Sequence, residues 1–132
     1  MDKSIKAAIL SAVAQEPFVQ TLGMELVALE KGFSAVEMFY VPSRMDNLFG
    51  RAHGGAICAW SDEAFETVGQ TDGTVAVAMN VNVTYVASPE TGTKLRAEAR
   101  EISQTKRTAN YEIRVIDGNG QLIAICQALA YR

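Results

Sequence analysis

The chain has 132 residues, 48% hydrophobic and 20% charged, enough to bury one sizeable core and too few for two ordinary domains, so a single domain over residues 1–132 is expected. A formal net charge of −3 and an isoelectric point near 5.1 leave no broad basic field; nucleic acid is excluded as a partner, and any anionic ligand must be held by local groups. No run approaches the roughly 20 apolar residues that span a bilayer, no small-residue cleavage site follows the apolar start, and Cys58 and Cys126 lie in apolar runs that suit buried thiols and not a disulfide; the expectation is a cytoplasmic protein with no membrane association.

In chain order, KSIKAAILSAVAQ places Ile5, Ala8, Ile9 and Val13 at helical spacing and predicts a short helix over a sheet edge, ended by Pro17. TLGMELVALEKGFSAVEMFYV is two apolar-rich runs joined through Glu30, Lys31 and Gly32, the composition of a hairpin. From Pro42 to His53 the chain is polar, with Pro42, Asp46, Asn47 and Gly50 as turn formers, and a loop is predicted. A long helix follows. TVAVAMNVNVTYV then alternates, with Val75, Val77, Met79, Val81, Val83 and Tyr85 on one face and Ala76, Ala78, Asn80, Asn82 and Thr84 on the other, the pattern of a long strand with one buried face. KLRAEAREIS and TANYEIRVID alternate again across Gln104, Thr105, Lys106 and Arg107. QLIAICQALAYR, reached through DGNG, is apolar on both faces and belongs at a central or interfacial position. The order predicts an α+β fold with one antiparallel sheet whose last four strands form a meander.

The long helix carries the chemistry. In HGGAICAWSDEAFETVGQ, residues Trp60, Ala64, Ile57, Val68, Ser61, Phe65 and Cys58 form one arc that faces the core. Asp62 falls beside its edge, flanked by Gly55 and Gly69, with Glu66 one turn on. Two carboxylates at this spacing repel each other, and burial adds to the effect, so a carboxyl here is moved toward neutrality, which suits acid–base work. The helix dipole accounts for Glu63 in full and for Asp62 only in part. At the other end, Gly54 and Gly55 lie in the first turn, where backbone N–H groups lack intrahelical acceptors and the absence of a Cβ admits an oxyanion. A tight turn explains a Gly-Gly pair equally, and a helix cap explains His53. Eight residues separate Gly54 from Asp62, roughly 12 Å along the axis, too far for both to act on one atom of one chain. The spacing suggests a site shared between two copies.

With Asn47, then HGGAICAWSDEAF, then VTYVASP and the turn near Gly92, the sequence resembles the hotdog-fold acyl-CoA thioesterases of the phenylacetic acid degradation type, within the 4-hydroxybenzoyl-CoA thioesterase superfamily. The likeness covers nearly the whole chain. It implies a hotdog fold, an antiparallel sheet of five or six strands wrapped around the long helix. It also implies a homodimer or dimer-of-dimers tetramer with active sites at the dimer interface, and hydrolysis of an acyl-CoA to a free acid and coenzyme A. Asp62 then resembles the catalytic base or nucleophile, and the N–H of Gly55 or Gly54 the oxyanion donor. Asn47 and His53 resemble the residues that orient thioester or water. Lys106 and Arg107 resemble the basic turn that meets coenzyme A phosphates, a solvated turn being the plain alternative. Family members that place a Ser or Thr near the start of the following strand to position water have no match here; only Asn80, Asn82 or Thr74 stands nearby. Glu66 occupies a position where a neutral residue is expected, and would shape the acyl pocket or disfavour anionic acyl groups. Trp60, Phe65, Phe49 and Met45 are candidates for that pocket and equally for the core. No metal and no separate cofactor are implied, because one histidine and scattered acids supply no ligand cluster and coenzyme A is part of the substrate. A hotdog hydratase or dehydratase fits His53-Gly54-Gly55 poorly, and a non-catalytic acyl-CoA-binding or scaffolding domain would not need both the carboxylate and the glycines.

Overall fold

A computed structural model describes residues 1–132. Its elements are α1 (Lys3–Ala14), α2 (Pro17–Leu22), β1 (Glu25–Glu30), β2 (Phe33–Phe39), α3 (Pro42–Met45), α4 (Gly54–Val68), β3 (Val77–Tyr85), β4 (Lys94–Gln104), β5 (Thr108–Ile116) and β6 (Leu122–Tyr131). Asp2 starts α1 by accepting hydrogen bonds from the Ser4 and Ile5 amides at 2.8 and 3.1 Å, satisfying donors that a first turn otherwise leaves open. Pro17 begins α2 as well as ending α1, since its fixed φ and missing N–H suit a first helical position. The region read as loop from Pro42 contains the single turn α3 for the same reason.

The six strands form one antiparallel sheet in the order β1-β2-β4-β5-β6-β3. This corrects the predicted four-strand meander. Only β4, β5 and β6 follow one another; β3 crosses to the far edge and pairs with β6. A strand apolar on both faces sits between two neighbours, and β3 supplies the second neighbour for β6.

β3 also departs from its predicted single buried face. A bulge between Ala78 and Asn80 shifts the register against β6, so side chains before and after it switch faces. Val81 and Val83 lie opposite the buried Ala128 and Cys126, whereas Val77 lies opposite the exposed Tyr131. Val75, Val77, Met79 and Tyr85 all remain more than half exposed in the single chain.

The sheet curls around α4, whose Ile57, Trp60, Ser61, Ala64, Phe65 and Val68 are buried as the helical projection predicts, with Cys58 half-buried. Alanines on the facing strands, Ala97, Ala99, Ala109 and Ala124, are at most 1% exposed and let the helix lie close to the sheet. Larger side chains lock the middle: the Phe65 and Tyr111 rings pack at a 53° tilt with centres 5.4 Å apart, and the Trp60 Nε1–H donates to Met38 Sδ at 2.6 Å. Ser34 Oγ donates to the Ala64 carbonyl at 2.6 Å, tying β2 to the helix. The helix axis is thereby fixed, and with it the positions of the groups on its exposed flank. No helix is long and apolar enough to cross a membrane.

Candidate active site

The start of α4 is built by its neighbours. His53 is the N-cap residue, and its Nδ1 accepts the Gly55 N–H at 2.8 Å, which leaves the ring proton on Nε2 when the imidazole is neutral. The Gly55 amide, expected to face an oxyanion, is therefore engaged by His53 within the chain. The Gly54 N–H makes no intramolecular hydrogen bond. A Cβ on Gly54 would stand 3.0 Å from Tyr85 Cζ and from its hydroxyl oxygen, and a Cβ on Gly55 would stand 3.0 Å from His53 Nδ1. Both glycines thus admit a close neighbour. Tyr85 completes this by donating its hydroxyl to the Gly54 carbonyl at 3.0 Å, a role that sequence reasoning missed because Tyr85 reads there only as the last residue of an alternating strand.

Asn47 holds the loop ahead of the helix. Its Oδ1 accepts from the Phe49 and Arg51 amides at 2.9 and 3.1 Å, leaving its side-chain amide protons to donate outward. Asn47 and Gly54 line one open cavity of about 480 Å³, together with Tyr85, Val86 and Ala87. His53 and Gly55 face a different one of about 230 Å³, shared with Phe18, Leu22 and Met45.

Asp62 lies two turns further along α4 on its uncovered flank. It opens into a third cavity, about 310 Å³, lined also by Phe65, Glu66, Gly69, Ala78 and Ala130. Burial pushes the Asp62 carboxyl above its ordinary range, and the Glu66 charge one turn away adds to this. Within one chain, Asp62 and the glycine amides therefore face separate spaces, as their roughly 12 Å axial separation requires.

The remaining predicted residues are dispersed. Asn80 and Asn82 are hydrogen-bonded to each other through their side chains. They sit opposite Leu129 and Gln127 on the sheet face away from α4, in a fourth cavity of about 390 Å³. They do not meet Asp62. Lys106 and Arg107 are exposed at the tip of the β4–β5 hairpin, where the Arg107 carbonyl accepts from the Arg132 amide at 2.8 Å. Thr74 Oγ1 accepts from Arg132 at 3.3 Å. Trp60 and Met45 belong to the core, Phe65 is buried at the Asp62 cavity, and Phe49 is 78% exposed.

Glu63 differs most from expectation. It stands in the third turn of α4, beyond the reach of the helix dipole that the sequence invokes for it, and it is 4% exposed. Burial, with the neighbouring Glu16 and Glu66, pushes its carboxyl up to about 8. No sequence signal separates this glutamate from a solvated one, because Glu16, at the junction of α1 and α2, comes beside it only in the folded chain.

An antiparallel sheet wrapped around one long helix, with a carboxylate on the helix flank and an open amide at its start, defines a hotdog-fold protein. The Thioesterase superfamily profile matches residues 49–124, more than half of the chain and spanning Gly54, Asp62 and β3. The chain belongs to that superfamily and is a hotdog thioesterase of the PaaI type. Acyl-coenzyme A thioesterase PaaI of Escherichia coli is 26% identical over 113 residues, 86% of this chain and 80% of that one. The structure of E. coli PaaI superposes with a TM-score of 0.92 over 97% of this chain and 92% of that one, at 23% identity. A mutant of the phenylacetic acid degradation protein PaaI from Thermus thermophilus is 32% identical, with a TM-score of 0.83 over 89% of this chain and 99% of that one. A Streptococcus mutans protein bound to acetyl CoA is 25% identical, with a TM-score of 0.77 over 82% of this chain and 86% of that one.

Proposed function

We propose that the chain hydrolyses an acyl-CoA thioester to a free carboxylic acid and coenzyme A at a site formed by two copies of the chain. The observation that carries this reading is Asp62, a carboxyl raised by burial on the open flank of α4 beside a cavity large enough for a small acyl group. Asp62 takes a proton from water as it attacks the thioester carbonyl; the tetrahedral oxyanion forms against the Gly54 N–H of the second copy, with the positive end of α4 behind it. Collapse of that intermediate breaks the C–S bond, and the proton held by Asp62 passes to the departing sulfur. Water is consumed and each product leaves with its own hydrogen. Attack by Asp62 itself, giving a mixed anhydride that water then opens, fits the same position.

Supporting groups follow from what each leaves free. Gly55 keeps His53 in place through its amide, so the oxyanion role falls to Gly54. Asn47, in the Gly54 cavity, directs a donor at the thioester or the water, and His53 keeps the start of α4 in place as its cap. Lys106 and Arg107 meet the phosphates of coenzyme A. Glu66, in the Asp62 cavity, selects against anionic acyl groups. Two observations support the second copy: the separate cavities of Asp62 and Gly54, and the free outer edge of β3 with Val77 and Met79 each 59% exposed. Coenzyme A release measured beside acyl-CoA binding tests the reading. Saturable binding without release would replace the enzyme with an acyl-CoA-binding domain.

A further inference from the structure

Between α4 and the junction of α1 with α2 lies a group of three acids of which the hydrolytic reading uses only Glu66, as a neighbour of Asp62. Carboxylate oxygens of Glu16, Glu63 and Glu66 all lie within 4.8 Å of one another. None of the ion pairs in the chain engages any of the three. Glu63 is 4% exposed, and its Oε1 is buried without a hydrogen-bond partner. A buried carboxylate oxygen with neither donor nor counter-charge is costly, and two more acids directed at it make the arrangement worse on its own.

A bound cation removes each of these costs together. Oxygen ligands from carboxylates are the donor set of hard divalent ions, and two ligands on opposite sides of Ca²⁺ stand up to about 5 Å apart, twice the ion–oxygen distance. The 4.8 Å span falls inside that limit. Access is present too: Glu16 and Glu66 line a cavity of about 290 Å³ with Ile9, Ala12, Val13 and Thr67, which gives an ion and its remaining waters a path from solvent.

We propose that Glu16, Glu63 and Glu66 form a binding site for an oxygen-seeking divalent cation of the calcium kind, which fastens the α1–α2 junction to α4. Glu63 comes from the long helix, Glu66 from its next turn, and Glu16 from the linker before Pro17, so the ion joins segments that are separate in sequence. The site neighbours the turn that carries Asp62 and shares Glu66 with the Asp62 cavity, while Glu16 and Glu63 have no part in the proposed hydrolysis.

The test is calorimetric titration of CaCl₂, and separately MgCl₂, into chelator-treated and dialysed full-length protein, together with thermal melts across the same concentrations. The expected result is one saturable ion per chain, a melting temperature that rises with ion concentration, and loss of both effects in Glu63→Gln. Glu16→Gln changes a half-buried residue in a linker and serves if Glu63→Gln does not fold; it should weaken binding about tenfold or more, because affinity in carboxylate sites follows the count of charged ligands. No saturable heat and no melting shift at millimolar Ca²⁺ or Mg²⁺ overturns the site and leaves the three acids sharing a proton. Undiminished binding in either variant places the ion elsewhere and overturns it equally. Neither readout depends on thioester hydrolysis.

Discussion

In the proposed reaction Asp62 is the residue on which the chemistry turns, and its surroundings set two expected outcomes. Replacement by Asn or Ala should lower kcat by about a hundredfold or more while melting remains cooperative, because a general base contributes roughly 10² to 10⁴. Steady-state coenzyme A release and a thermal melt on the same sample check this. A base works deprotonated, and burial followed by Glu66 raises the Asp62 carboxyl, so the acid limb of kcat/KM should lie above the ordinary aspartate range. In chelator, Glu66→Gln removes a like charge and should move that limb to lower pH; a limb that stays in place would assign the raised value to burial alone. Asp62 and Glu66 were legible in the sequence because a 3.6-residue period puts both at the edge of an apolar arc. The cap role of His53 stood among the sequence's alternatives and is borne out; that the cap takes the Gly55 amide and leaves Gly54 open was not legible, since a donor's partner depends on a side-chain rotamer. Glu63 shows the same limit more strongly: it is buried, and its neighbour Glu16 lies more than 40 residues earlier in the chain.

At the scale of elements, the start of α4 and the end of β3 act as one unit. In Gly54→Ala the new methyl would stand 3.0 Å from Tyr85 Cζ and its hydroxyl oxygen, so the variant should lose about 1 kcal/mol or more of stability by overpacking. The loss should shrink in a Tyr85→Ala background, and denaturant unfolding of the four proteins in the cycle measures that coupling. Additive losses would mean that Tyr85 and Gly54 do not press on each other. The approach of Glu63 on α4 to Glu16 gives a second test. Glu63 titrates near 4.5 when unfolded and near 8 when folded, so the folded state holds the extra proton between these values and its stability falls as pH rises through them. In chelator, Glu63→Gln should therefore gain on wild type in melting temperature from about pH 5 to about pH 9. A difference that stays flat would remove Glu63 from the pH dependence. Element types were readable from periodicity, down to the hairpin of β1 and β2 and the core-facing arc of α4. Two features were not: the crossing of β3 to β6, which depends on long-range pairing, and the bulge at Ala78–Asn80, which breaks an alternation that looks unbroken in sequence.

For the whole molecule, the single chain leaves two things unfinished. β3 ends the sheet with an unpaired edge and exposed Val77 and Met79, and the amide of Gly54 faces a different cavity from Asp62. A second copy that adds its own β3 would cover this edge, and the proposed shared site requires such a copy, so sedimentation of the active protein should give a dimer or a tetramer; a fully active monomer would dissolve the shared site. The apolar alternation of β3 was visible in the sequence, yet alternation reports only that a face is covered and not which chain covers it.

The central claim is that Asp62 on α4 drives thioester hydrolysis. The most direct measurement is the initial rate of coenzyme A release from acetyl, medium-chain, long-chain, phenylacetyl and hydroxybenzoyl thioesters, with wild type and Asp62→Ala side by side. Turnover of at least one thioester by wild type, reduced about a hundredfold or more in the variant, is the predicted result. Equal rates in the two proteins, or no release from any thioester by wild type, would contradict it.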